Sequence, residues 1–562
     1  MPIARSGGEI LVDQLLAEGV ERVFCVPGES YLAVLDALHD SGIAVIVCRQ
    51  EGGAAMMAEA YGKLTGKSGV CFVTRAPGAT NASAGVHIAQ QDATPMLLFV
   101  GQVERFFIGR EAFQELDYRA AFTPLAKWAT EIEDTKRIPE FVSRAFHTAR
   151  CGRPGPVVVG LPEDILTEEA TVETIPPMEG IATYPSAAQI SRLEALLAEA
   201  RYPVAILGGS RWTPDAVAHF QTFAEAFDLP VIVSFRRQML FDAEHPNYVG
   251  DLGVGPNPAL LRLISAADLI LLIGDRLSEM PSQGYSLLSA TDHRKLLHVH
   301  PDPTELGRVY RPTLGLACAP DAFVESVVGM RPRVAAPWAQ TTREARASYL
   351  SYSDPAKIVT PGSLQMGAVM DYLRNRLPAD AILCNGAGNY ASWVHRFHRF
   401  RQFGTQLAPT SGSMGYGVPA AVSAKLHYPD RIVVAFAGDG CFMMHGQEFA
   451  TAVQYDAPII VVLVDNGMYG TIRMHQEREY PGRVSGTDLK NPDFAAYAKA
   501  FGGHGETVRS TEDFIPAFER AVVSGKPAIL HCLIDPEALT PTLSLSEIRA
   551  HALAEKGAAT TN

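Results

Sequence analysis

No apolar run in this 562-residue chain approaches the length needed to cross a bilayer, and no secretory leader precedes the first amphipathic stretch, MPIARSGGEILVDQLL. No membrane role is expected, and the chain is read as cytoplasmic. Positive charge is scarce: 48 Lys and Arg stand against 61 Asp and Glu, for a net charge of −13. No basic stripe supplies a nucleic-acid footprint, and the acidic surface mainly aids solubility. Cys25, Cys48, Cys71, Cys151, Cys318, Cys384, Cys441 and Cys532 form no C-x-x-C pair and no metal-ligand spacing. Several lie inside apolar runs, such as Cys48 in AVIVC and Cys71 in GVCFV, as small buried thiols do in a reducing compartment. A nicotinamide site also lacks its signature. The first strand, RVFCV, runs into PGES without a G-x-G-x-x-G, and Gly386-Ala387-Gly388 is too short a glycine signal to replace it.

What remains is an ordinary globular composition, 47% hydrophobic and 19% charged, in a chain too long for a single core. Helical and strand patterns alternate from the start. GEILVDQLLAEG, SYLAVLDALHDSG and a stretch opening at Glu51 read as helices; RVFCV, IAVIVC, GVCFVTR, PMLLFVG and GPVVVGL read as strands. Such alternation predicts an α/β fold of doubly wound parallel sheets. Polar, proline-containing residues 166–187 read as a linker, followed by a second α/β unit with PVAILGG, PVIVSF, LILLIGD and KLLHVHPD as strands. An Ala-, Pro- and Arg-rich linker is expected over 331–360. A third unit starts near Pro361 with a helix (Leu364 to Arg376), the strand AILCN and a Gly-rich turn, echoing the first. The domains are therefore drawn as 1–170, 188–335 and 361–540, with a weakly patterned tail, 541–562, that is either a lid or frayed.

Chemistry concentrates in RIVVAFAGDGCFMMHGQEFATAVQYDAPIIVVLVDNGMYG. A strand (Arg431 to Ala437) ends at Gly438-Asp439-Gly440. A helix (His445 to Tyr455) and a second strand (Pro458 to Val464) follow, ending at Asp465-Asn466, and Asn466 lies 27 residues beyond Asp439. Two strands joined by a helix should be parallel, with both carboxyl ends on one sheet edge. Asp439 and Asn466 then meet, and a carboxylate, an amide oxygen and a nearby carbonyl are hard ligands suited to Mg²⁺ bridging to a diphosphate. The flanking glycines admit a phosphate, and a helix start is close by. By itself, GDG is equally a strand-to-helix turn.

These residues resemble the thiamine diphosphate enzymes, whose signature is GDG, a spacer of this length and an asparagine pair. Here Asp465 replaces the first asparagine. The resemblance implies that Asp439 and Asn466 bind Mg²⁺ by side chain and Met468 by its carbonyl, with Gly438 and Gly440 lining the diphosphate. The three units match that family's pyrimidine-binding, central and diphosphate-binding domains. The family's activating glutamate falls on Glu51, in Arg49-Gln50-Glu51-Gly52-Gly53; it hydrogen-bonds the aminopyrimidine N1′ in a water-poor pocket. On its own Glu51 is equally a first-turn acid facing the helix dipole. In SGSMGYG, Met414 is the wedge under the two rings and the Gly412 carbonyl receives the 4′-amino group; a core methionine is the plainer reading. Asn389, in GAGNY, matches a diphosphate-contact position, and Pro27 and Gly28, closing the first strand, join the cofactor-binding set. The family shares each site between two subunits, so a homo-oligomer, at least a dimer, is implied.

The first domain resembles the acetolactate synthase branch, through APGATNASAGVHIAQQDATPMLLFVGQV and REAFQELD…PLAKWA. The likeness brings Phe113 and Gln114 toward the thiazolium of the neighbouring subunit, with Lys127 holding their loop. Gln114 is otherwise a solvated polar residue. The adjacent-histidine pair of pyruvate decarboxylase-type enzymes is absent; His87 stands alone. Where branched-chain synthases carry a tryptophan, this chain has His475, a proton donor, a recognition residue or a surface histidine. The central unit has DRLSEMPSQGY in place of an Arg-Phe-Asp-Asp-like turn, which disfavours FAD. The expected function is thiamine diphosphate- and Mg²⁺-dependent ligation or cleavage of carbon–carbon bonds in a small 2-oxo acid such as pyruvate. Simple decarboxylation and cleavage of a hydroxyketone or diketone are alternatives, and a non-catalytic cofactor-binding relative is a third.

Overall fold

The structure, a computed structural model, describes residues 4–289, 292, 294–332 and 335–560. The first three and last two residues, at the ends of the N-terminal domain and the tail, lie outside it. Three six-stranded parallel sheets, each flanked by helices, form the α/β fold expected from the alternating pattern. Their central strands are continuous apolar runs because helices cover both faces: Met96–Gln102, Pro156–Pro162 and Leu269–Ile273 are buried along their whole length.

The N-terminal sheet runs Ala44–Val47, Arg22–Cys25, Gly69–Val73, Met96–Gln102, Pro156–Pro162, Trp128–Glu131. Numbered by chain position, the order is 2-1-3-4-6-5. The C-terminal sheet has the same order: Gln406–Leu407, Ile382–Asn385, Val433–Gly438, Ile460–Asp465, Ala528–Leu533, His504–Val508. The echo between first and third units is thus one topology used twice. The central sheet differs, with Tyr248–Leu252, Val231–Ser234, Pro203–Leu207, Leu269–Ile273, Lys295–Val299 and Leu314–Leu316 in order 3-2-1-4-5-6.

The outer domains share one core. The small residues of helix Glu51–Thr65 let it lie close to helix Gly417–His427, and Met56, Met57 and Tyr61 join Tyr416, Val418 and Ala421 in a single buried cluster. Ser423 donates to the Met57 carbonyl at 2.8 Å. A buried charge cluster ties all three domains together. Asp92, fully buried, accepts from Lys63 Nζ at 2.5 Å, from the central domain's Arg237 at 3.3 Å, and from the Thr410 N–H of the C-terminal domain at 2.9 Å. Glu59, also fully buried, lies 3.1 Å from Lys63 and accepts from Tyr416 Oη at 2.6 Å.

Two stretches differ from their sequence reading. Residues 331–360 contain helix Ala339–Tyr352, with Trp338 and Tyr349 buried in the central core and Trp338 Nε1 donating to the Phe227 carbonyl at 2.8 Å. Only Thr342 and Tyr349 of that helix are buried, so its apolar stripe is too thin to stand out. The tail forms helix Leu545–Thr560, which packs on helix Gly470–Glu479 through Met474, Leu539, Leu545 and Ile548. Arg549 donates to both oxygens of the buried Glu477, at 2.7 and 2.6 Å. Among the described residues, no helix is long and apolar enough to cross a membrane. All eight cysteines are free; seven are buried, while Cys151 is exposed.

Candidate cofactor site

Strand Val433–Gly438 lies parallel to Ile460–Asp465, with Gly438 opposite Val464. Their carboxyl ends therefore bring Asp439 beside Asp465, with Asn466 the next residue along that edge. The helix expected from His445 begins earlier: Asp439 itself opens helix Asp439–His445, and a second helix, Glu448–Gln454, follows. Asp439 is buried, and the Asn491 amide donates to it at 2.7 Å and to Asp465 at 2.8 Å. Asp465 also accepts from the Gly467 N–H at 2.9 Å and from His531 Nε2 at 2.8 Å. These bonds account for an aspartate in place of asparagine. An ionised carboxylate accepts from all three donors without turning an N–H toward any of them. Burial raises the pKa of Asp439, and the neighbouring Asp465 adds to the shift. For Asp465 burial pulls the same way, but the hydrogen bonds from His531 and Gly467 outweigh it and hold the carboxyl low.

The turn after Asn466 is fixed by backbone contacts. Gly467 takes φ +68°, and its carbonyl accepts from the Leu489 N–H at 2.8 Å. Asn466 Oδ1 receives the Met468 N–H at 3.3 Å, and the Met468 carbonyl accepts from Gly470 N–H at 2.8 Å. A Cβ at Gly438 would sit 2.9 Å from the Tyr390 ring, and one at Gly440 would sit 2.5 Å from Tyr469. These two glycines are thus required by the packing. The donor set at this edge is one buried carboxylate, one amide oxygen and one carbonyl, all hard oxygens. It fits Mg²⁺ held jointly with a diphosphate, since such an ion takes few protein ligands and completes its octahedron with phosphate and water.

The other expected cofactor contacts gather on the same edge of the third domain. Gly412 takes φ +68°, and Met414 packs partly buried against that domain's core. Gly415 N–H donates to Cys441 Sγ at 3.2 Å, which ties the Met414 loop to the helix that Asp439 opens. Asn389 is bound to helix Gly470–Glu479: its N–H donates to Thr471 Oγ1 and that hydroxyl donates back to Asn389 Oδ1, both at 3.0 Å. His475 is exposed on helix Gly470–Glu479, beside exposed Ile472, while its neighbour Met474 turns inward.

In the N-terminal domain, Pro27, Gly28 and Glu51 follow the carboxyl ends of adjacent strands. Pro27 is exposed, and a Cβ at Gly28 would lie 2.3 Å from Thr74. Glu51 is half-buried and accepts from Asn81 Nδ2 at 3.0 Å. Gly52 faces the third domain of the same chain: a Cβ there would lie 2.8 Å from His445 Nε2, while one at Gly415 would meet His445 Nδ1 at 2.3 Å. His445 thus sits between the glycine after Glu51 and the glycine after Met414. Gln114 takes φ +64°, its carbonyl accepts from Ala76 N–H at 3.2 Å, and its Oε1 is buried without a hydrogen-bond partner. Phe113 beside it is 72% exposed and Phe106 is 59% exposed. Lys127 does not hold this loop. It donates to the Thr148 and Cys151 carbonyls at 2.6 and 2.7 Å, and burial lowers its pKa to about 8.

Sequence reasoning missed Asn491, His531, Asn81 and Glu448. Asn491 comes from a loop with no periodic signal. His531 sits in AILHCL, an apolar strand where a lone histidine reads as core.

Three family descriptions match the chain in order: thiamine pyrophosphate enzyme N-terminal TPP binding domain over residues 5–121, central domain over 190–327, and C-terminal TPP binding domain over 386–532. The chain is 32% identical to the acetolactate synthase isozyme 2 large subunit of Escherichia coli (strain K12), over 94% of this chain and 96% of that protein. It is 30% identical to the acetolactate synthase large subunit of Corynebacterium glutamicum, over 96% of this chain and 88% of that protein. With a probable acetolactate synthase large subunit of Methanocaldococcus jannaschii it shares 29% identity over 95% and 93% of the two chains.

Proposed function

Because this chain belongs to the thiamine pyrophosphate enzyme family, we propose that it is a thiamine diphosphate- and Mg²⁺-dependent carboligase acting on a small 2-oxo acid such as pyruvate. The observation that supports the reading is the parallel pairing of Val433–Gly438 with Ile460–Asp465, which puts Asp439 and the Asp465-Asn466 turn at adjoining strand ends on one sheet edge. The chain around them aligns almost end to end with acetolactate synthase large subunits. Thiamine diphosphate, when bound, supplies a nucleophilic carbon and an electron sink for loss of CO₂ and formation of a new carbon–carbon bond.

The chain's residues divide the remaining work. Asp439, Asn466 and the Met468 carbonyl would hold Mg²⁺, and Gly438, Gly440 and Asn389 would line the diphosphate. Gly412 would offer its carbonyl to the cofactor's amino group, Met414 would support its rings, and Pro27 and Gly28 would close the pyrimidine side. Glu51 holds the proton at the pyrimidine nitrogen. In this reading it serves the cofactor of a second copy of the chain, so the enzyme is a homo-oligomer. The exposed Phe106, Phe107, Ile108 and Phe113 give that contact an apolar surface. Gln114 would bond the substrate oxygen, its Nε2 donating to a carbonyl or its unpartnered Oε1 accepting from a hydroxyl. His475 takes the place of a tryptophan in the acceptor pocket and makes it more polar. The free cysteines fit a cytoplasmic enzyme.

We assign no flavin. The reading rests on DRLSEMPSQGY, which stands where an Arg-Phe-Asp-Asp-like turn is expected in a flavin-binding central unit.

The test is product analysis on purified protein with thiamine diphosphate, Mg²⁺ and pyruvate, alone and with a second carbonyl compound. Carboligation yields CO₂ together with a coupled hydroxyketone or acetohydroxy acid. Free aldehyde as the sole organic product identifies a simple decarboxylase instead.

A further inference from the structure

Glu448 is fully buried and has no ion-pair partner among the described residues. Its hydrogen bonds go to the backbone of another domain. Oε1 accepts from the Arg49 and Gln50 N–H groups, both at 3.0 Å, and Oε2 accepts from Arg49 N–H at 3.2 Å and from Thr451 Oγ1 at 2.6 Å. Arg49 and Gln50 are the two residues before Glu51. Gln50 caps the helix that Glu51 opens, accepting the Gly53 N–H at 3.1 Å. Gly53 leaves the space the carboxylate uses, since a Cβ there would lie 2.5 Å from Glu448 Oε1.

Seven residues further along, Tyr455 grips the preceding strand. Its hydroxyl accepts the Val47 N–H at 2.7 Å and donates to the Val45 carbonyl at 3.1 Å. Ala44–Val47 is an edge strand, so these two bonds take the place of a missing neighbour. One helical segment of the third domain, directly after the helix opened by Asp439, therefore fixes the strand, the turn and the helix start that present Glu51. Burying a carboxylate is unfavourable unless its hydrogen bonds are specific, and here three of the four go to this turn.

We propose that Glu448 is a positioning residue for Glu51, setting the direction of that carboxylate by holding the backbone at residues 49–50. The proposal rests on Glu51 being the group that activates the cofactor. Glu448→Gln keeps the size but removes the charge from the bonds to Arg49 and Gln50 and turns an amide N–H toward the Arg49 N–H at the second oxygen's place.

The test compares wild type, Glu448→Gln and Glu51→Gln. In the cofactor-free protein, backbone amide exchange is followed over residues 44–53. In the loaded protein, deuterium exchange at C2 of thiamine diphosphate is followed, and the cofactor Kd is measured by titration. For Glu448→Gln, amide exchange at 49–50 should accelerate at least about tenfold and C2 exchange should slow about ten- to a hundredfold, as a displacement near 1 Å does to a reacting group, with Kd within about threefold of wild type. Unchanged C2 exchange despite a loosened turn overturns the proposal. So does a Kd that weakens in step with the rate, which would mark Glu448 as purely structural. Unchanged C2 exchange in Glu51→Gln instead removes the role of Glu51 on which the proposal depends. If Glu448→Gln does not fold, Tyr455→Phe removes the two strand bonds and keeps the ring. It should slow C2 exchange about two- to fivefold at constant Kd, and an unchanged rate again overturns the proposal.

Discussion

Replacing Asp92 by asparagine removes one charge from the point where the three domains meet. Burial alone would push this carboxyl up, but Lys63 and Arg237 outweigh it and hold the pKa down at about 2. The usual aspartate value is about 3.9, and a difference near two units corresponds to about 2–3 kcal/mol favouring the ionised, folded form. Asp92 is fully buried, so solvent does not screen this term. The loss in Asp92→Asn should not exceed that range, because Glu59 remains 3.1 Å from Lys63 and keeps the ammonium paired. Lys63→Met is the harsher change. It leaves the fully buried Glu59 without an ion-pair partner among the described residues and Asp92 with Arg237 alone, and should cost about 3–5 kcal/mol. The assay is denaturant unfolding of the cofactor-free protein at neutral pH, with the double mutant completing the cycle. The order expected is wild type, then Asp92→Asn, then Lys63→Met, with the double mutant less destabilised than the two singles summed. The pH dependence has a definite sign: the pKa is depressed on folding, so the contribution is complete above about pH 4 and is lost as pH falls through about 2. An Asp92→Asn protein within about 0.5 kcal/mol of wild type, or a Lys63→Met protein more stable than Asp92→Asn, would refute the reasoning.

Arg549→Met should release helix Leu545–Thr560, detected as faster proteolysis of the C-terminus. Arg549 is partly exposed, so the stability loss is expected at only about 1–2 kcal/mol. The Arg549 hydrogen bonds hold Glu477 at about 2, so docking is fully supported above about pH 4.5 and weakens toward pH 2. Asp465→Asn keeps one oxygen for Gly467 and Asn491 but turns an N–H toward His531 Nε2, which must then switch tautomer to accept it, and the charge that strengthens all three bonds is lost. It should lower the stability of the cofactor-free protein by about 1–3 kcal/mol, read by thermal unfolding.

Much of the architecture was legible because parallel strands buried on both faces leave unbroken apolar runs, as in PVVVGLP and LILLI. Strand order was not. The arrangements 2-1-3-4-6-5 and 3-2-1-4-5-6 arise from the same alternation of strand and helix, and no local pattern separates them. Short edge strands such as Gln406–Leu407 and Leu314–Leu316 carry too few residues for a period to register. Asp439 and Asn466 could be paired from sequence because one strand–helix–strand unit carries both. Asn491 and His531 reach the same edge through longer connections, and Glu448 reads as an ordinary helical glutamate until its partner backbone, about 400 residues earlier, is seen against it. Lys127 shows the converse, since resemblance pointed it at the loop of Gln114 while its ammonium binds the carbonyls of Thr148 and Cys151.

The most direct measurement is CO₂ release from pyruvate by purified protein loaded with thiamine diphosphate and Mg²⁺, with Glu51→Gln and cofactor-free controls. The account predicts turnover that requires both cofactors, gives a coupled product, and falls at least about a hundredfold in Glu51→Gln, as expected for a lost acid–base group. Turnover that persists without thiamine diphosphate, or that is unchanged in Glu51→Gln, would contradict it.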